Sequence, residues 1–118
     1  MILVDTSVWV DHLRRGNREL KALLLESKVL GHPFVAGELA CGSLKNRQEL
    51  LTLMNSLPQA EVTESHEVLR MIEDAKLPGR GIGWVDAHLL ASTLLSRSLL
   101  WTLDRQLAAM AKALRVSV

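Results

Sequence analysis

Residues Gly81–Asp104 read GIGWVDAHLLASTLLSRSLLWTLD, and they set a polar junction at each end of a helix and a strand. The glycine loop Gly79-Arg80-Gly81-Ile82-Gly83 gives way to an apolar stretch, Trp84 to about Ser96, long enough for a helix, with Asp86 in its first turn. Leu99 to Leu103 then forms a short apolar run of strand type, and Asp104 stands where the next helix begins. A helix leading into a buried strand that ends at a carboxylate is the repeating unit of a parallel sheet.

The N-terminus has the same form. Met1 to Val4 is apolar on both faces, as a central parallel strand is, and it stops at Asp5-Thr6-Ser7, any of which suits the cap of the following helix. Val8, Trp9, Val10 and Leu13 give that helix its apolar side, and a second helix runs from about Arg18 to Ser27. Lys28 to His32 reads as a strand, Pro33 starts a helix carrying Glu38, and Gly42 stops it. Leu50, Leu53, Met54 and Leu57 predict a helix over Ser43–Leu57, and Val68, Met71, Ile72 and Ala75 predict another. Ala60–Val62 and Arg115–Val118 are expected as short strands, with a last helix between Asp104 and Leu114. The alternation predicts an α/β fold: one domain over residues 1–118, an open, mostly parallel sheet with helices on both faces.

Composition agrees and excludes several classes. Hydrophobic residues make up 48% and aromatic residues 3%, which suits layered helices and buried strands rather than an aromatic-rich sandwich. The net charge of +1 gives no bulk attraction to nucleic acid, so any such binding rests on a local patch or on metal ions. One cysteine, Cys41, forms no internal disulfide and is expected as a small core residue. The four histidines show no zinc spacing. No apolar segment reaches the roughly 18–20 residues of a membrane span, and no basic leader precedes Met1, so a cytoplasmic protein is expected.

In an open parallel sheet, functional groups collect outside the carboxyl ends of the strands. Asp5 and Asp104 stand at such ends, and Glu38 and Asp86 lie early in helices that can reach the same edge. Each has an ordinary explanation as a cap, a helix-dipole partner or a solvated acid. Together they form a carboxylate cluster that would repel itself without a cation. An all-oxygen set without Cys or His points to Mg²⁺ or Mn²⁺, and the chemistry that follows is phosphodiester hydrolysis by metal-activated water.

Four segments, Leu3-Val4-Asp5-Thr6-Ser7, Glu38-Leu39, Ile82–Ala91 and Trp101–Leu107, in this order and spacing, resemble the PIN-domain ribonucleases, especially the VapC toxins of toxin–antitoxin pairs. The resemblance implies that Asp5, Glu38, Asp86 and Asp104 are the acidic quartet holding Mg²⁺ or Mn²⁺, with the hydroxyls of Thr6 and Thr102 beside them and Ser7 as a further candidate. It also implies an RNA substrate, a cognate antitoxin protein and a homodimer. Arg80, in its glycine loop, is a candidate phosphate contact. Arg14, Arg15, Arg18 and Lys21 read as a solvated basic face, Trp9, Trp84 and Trp101 as core or interface, and His88 as structural. The competing reading is a PIN-like module that binds RNA or protein without cleaving. A phosphoacceptor domain would need an aspartate where Val62-Thr63-Glu64 stands, and a DxD phosphatase a second aspartate after Asp5.

Overall fold

The computed structural model describes all residues, Met1–Val118. At its centre lies β1 (Ile2–Val4), flanked by β2 (Val29–Leu30) on one side and β3 (Leu99–Trp101) on the other, all parallel. Leu3 and Val4 point to opposite faces of the strand, and both are wholly buried, so helices cover the sheet on both sides. The connections are α1 (Thr6–Arg15) and α2 (Arg18–Leu25) before β2, then α3 (Pro33–Cys41), α4 (Arg47–Ser56), α5 (Ser65–Asp74) and α6 (Trp84–Leu95) before β3, with α7 (Arg105–Ala113) last.

The α6 helix is buried nearly all round, every residue from Ala87 to Thr93 included. Such a helix must satisfy its polar groups internally. Thr93 does so by donating to the Leu89 carbonyl at 2.7 Å, and Ser92 by pairing with His32 Nε2 at 2.9 Å. Leu89 and Leu90 join Leu3, Val4, Leu39, Leu100 and Leu107 in one core. This packing anchors the start of α6, and with it Asp86, against the sheet.

The sheet is wholly rather than mostly parallel, and its outer strands are shorter than expected. The expected strand at Ala60–Val62 is reduced to a single bridge between Gly31 and Gln59. The ladder ends there because the Glu61 N–H donates to Ser96 Oγ at 2.8 Å instead of to a strand. At the other edge, Arg115–Val118 contributes one bridge, Leu100 to Ser117, because Arg115 still holds a left-handed φ of 61°. Asn46, with φ 55°, likewise delays α4 from Ser43 to Arg47. Cys41 is exposed at the end of α3 and not in the core.

Candidate active site

Asp5 and Asp104 hold the same topological place, the residue between a strand and the helix it feeds, yet their carboxylates differ. Asp104 caps α7: its Oδ1 accepts from Leu107 N at 3.0 Å. Asp5 occupies the cap position of α1 without capping it. Its Oδ2 instead accepts two hydroxyls, Ser7 Oγ at 2.8 Å and Thr102 Oγ1 at 2.7 Å. Asp5 is also buried, 7% exposed, and no cation lies within ion-pair distance of it. A buried carboxylate held only by neutral hydroxyls lacks the charge partner that burial normally demands.

The hydroxyls knit β1 to β3. Ser7 Oγ accepts from Leu103 N at 3.0 Å, and Thr102 Oγ1 accepts from Asp104 N at 3.0 Å. These bonds turn the chain away from the sheet after Trp101, which is why β3 stops short of the expected Leu103. They also fix Asp5 and Asp104 on adjacent strand ends.

The other two acids come from helices. Glu38, exposed on α3, accepts at Oε1 from Thr6 Oγ1 at 2.7 Å. Asp86, half-buried in the first turn of α6, accepts weakly at Oδ2 from Gly83 N at 3.5 Å. Burial raises the Asp86 carboxyl above its ordinary range, the Gly83 bond opposes this, and the charges of Asp5, Asp104 and Glu38 raise it further. Asp86 therefore feels the charge of each of the other three acids. Each of the four ties a single oxygen to the protein and leaves the other without a donor.

The donor set suits a hard divalent cation: carboxylate oxygens only, no thiol or imidazole, and no lysine or arginine paired with any of the four. No three of these acids bring ligand atoms within 4.8 Å of one another.

Residues 2–113 match the PIN-domain family. Ribonuclease VapC32 of Mycobacterium tuberculosis, in strains CDC 1551 and H37Rv, is 47% identical over 110 residues, covering 92% of this chain and 89% of that protein. The chain belongs to the VapC group of PIN domains.

In this PIN domain Arg80 is exposed in the loop before α6 and forms no ion pair. Gly81 beside it has φ +79°, a conformation that favours glycine, and it packs against the end of the flexible Gln106 side chain. Two titratable groups lie outside the quartet, one unforeseen from sequence and one expected as structural. Glu64, His66 and Glu67 bring three potential ligand atoms within 4.8 Å, but they are exposed, and Glu64 and Glu67 already form the capping box of α5. The capping spacing was legible, because Glu67 follows Glu64 by three.

His88 is the other. Both its ring nitrogens are buried without a partner, between Phe34 and Trp84 at centroid distances of 4.6 Å. Burial lowers its pKa, and it drives that of His32 down to about 4, with the neighbouring His88 charge acting the same way. Both rings are neutral packing groups at neutral pH. Trp9 is core, whereas Trp84 is 44% exposed and covers His88 from outside.

Proposed function

We propose that this PIN domain is a divalent-metal-dependent endoribonuclease, the toxin of a toxin–antitoxin pair acting in the cytoplasm, with Asp5, Glu38, Asp86 and Asp104 holding Mg²⁺ or Mn²⁺. The observation that carries the reading is the division of labour within each carboxylate: one oxygen is oriented by the protein and the other is left for a ligand. The ribonuclease name of the 47% identical relative supports the same substrate class.

When bound, the cation supplies a polarised water and neutralises charge on the phosphoryl oxygens. The protein's part is orientation. Thr102 and Ser7 fix the Asp5 carboxylate from two directions, and Thr6 holds Glu38. Because Thr102 also takes the Asp104 N–H, one hydroxyl sets the spacing of two acids. Hydrolysis then adds water across a P–O bond, hydroxyl to phosphorus and proton to the leaving oxygen. Arg80, exposed in the loop before α6, is a candidate contact to the RNA backbone.

A homodimer and an antitoxin that covers the acid edge complete the proposal. Leu69 on α5 and Leu94 and Leu95 at the end of α6 are exposed and supply apolar surface for a second copy. The test is incubation of mixed RNA with protein plus Mg²⁺, with EDTA, and with Asp5→Asn. Cleavage in the first arm alone supports the proposal. Cleavage that persists in EDTA or in the variant overturns the metal mechanism, and RNA binding with no cleavage under any divalent ion favours the silent module.

A further inference from the structure

The hydroxyl of Ser7 does more than hold Asp5. It begins a row on one face of α1, Ser7, Val10, Asp11, Arg14 and Arg15, whose spacing of three, four, seven and eight residues keeps them on the same side of the helix. Leu103, half exposed just after β3, faces this row and closes a groove of about 410 Å³. Ser7 ties the two walls together, since it accepts from Leu103 N at 3.0 Å while donating to Asp5 at 2.8 Å. The groove thus starts at the acid site and follows α1 outward for about 12 Å at the helix rise of ~1.5 Å per residue.

The charges along it are sorted. Asp11 is paired with Arg15 at 2.6 Å and accepts a hydrogen bond from Asn17 Nδ2 at 3.2 Å, and the Arg15 bond first, then the Asn17 bond, holds its carboxyl below the ordinary range. Arg14 has no acid within ion-pair distance. It is the one uncommitted cation on the path, with a leucine opposite to receive a base face. Of the basic residues expected to be mere solvated surface, Arg14 and Arg15 line this groove, whereas Arg18 and Lys21 do not.

We propose that this groove is a subsite for single-stranded RNA flanking the cut, in which Arg14 contacts a backbone phosphate and Leu103 packs against a base. The proposal rests on the ribonuclease reading above. Arg14 stands on a crest, because it also borders a larger groove of about 690 Å³ lined by Lys45 and Leu53 on the other side of α1. Lys45 therefore serves as the control cation.

The experiment uses an unstructured RNA oligonucleotide that the wild type cuts once, measured across a salt series. Arg14→Ala is expected to raise KM about five- to tenfold, the range for losing one charge-assisted phosphate contact, with kcat unchanged. It should flatten the slope of log affinity against log salt by about 0.7, the share of one single-strand phosphate. Arg14→Lys restores most of the affinity, and Lys45→Ala behaves as wild type. The same variants placed on Asp5→Asn and followed by fluorescence anisotropy test binding without turnover. An Arg14→Ala variant with wild-type KM, anisotropy and salt slope overturns the subsite, as does an equal loss in Lys45→Ala. A wild type that binds the oligonucleotide through Arg14 but never cuts it instead overturns the ribonuclease reading and leaves the subsite standing.

Discussion

The β1–α1 and β3–α7 junctions present the same problem, an aspartate between a strand and a helix, and resolve it differently. At β3–α7 the carboxylate stabilises local structure by capping, and it stays exposed. At β1–α1 the carboxylate is buried, caps nothing and is held by hydroxyls from both junctions. A residue that fills a cap position without capping has been placed for something other than the helix. The difference separates an acid that the fold accounts for from one that the fold alone does not explain.

Substituting the two acids breaks that comparison most sharply. Asp5→Asn and Asp104→Asn should each reduce RNA cleavage by on the order of 10²–10³-fold, the scale for losing one preorganised electrostatic group at a reacting centre. Variants of the two acids should part company in thermal or urea unfolding. Asp104→Ala is expected to lose about 1 kcal/mol with its cap, while Asp104→Asn keeps the cap and the stability. Asp5→Asn should unfold no earlier than wild type, since an amide oxygen still accepts from Ser7 and Thr102 without a buried charge. Equal destabilisation by Asp5→Asn and Asp104→Ala would erase the distinction.

A subtler cut is Thr102→Val, which keeps the shape but removes the hydroxyl that joins the junctions. Metal affinity, read by Mn²⁺ titration calorimetry, should weaken about 10- to 100-fold, the usual consequence of losing an orienting partner. Unchanged affinity would show that Asp5 needs no such support.

A further effect lies away from the acids. His32 titrates near 4 in the folded protein against 6.5 in the unfolded chain. Its folded pKa is depressed, so its neutral form stabilises the protein above pH 6.5, and that contribution is lost as pH falls toward 4. Thermal midpoints should be flat from pH 8 to 7, slip slightly at pH 6 and drop further toward pH 4. His32→Gln should flatten the low-pH part of the curve, which isolates this titration from that of the carboxylates.

What sequence reading could reach follows from where the physics is local. The junctions were legible, because an apolar run ending at Asp5 or at Asp104 declares both the strand and the edge it points to. The central helix was legible from its length and uniform apolarity. The strand at Ala60–Val62 was misjudged because its fate hangs on a hydrogen bond to Ser96, 35 residues away. Cys41 was misplaced because a helix end faces solvent however small its last residue is. The failure of Asp5 to cap was invisible for the same reason: Thr102, 97 residues on, draws its carboxylate away. The role of Arg14 depended on Asp11 taking Arg15, a pairing that spacing permits but does not decide.

The central claim is that four carboxylates from four parts of the fold converge on one cation. An anomalous difference map from crystals soaked in Mn²⁺ tests it most directly. The account predicts density bounded by Asp5, Glu38, Asp86 and Asp104, and its loss in Asp5→Asn. Density only at Glu64, His66 and Glu67, or a quartet that stays empty at saturating Mn²⁺, would contradict it.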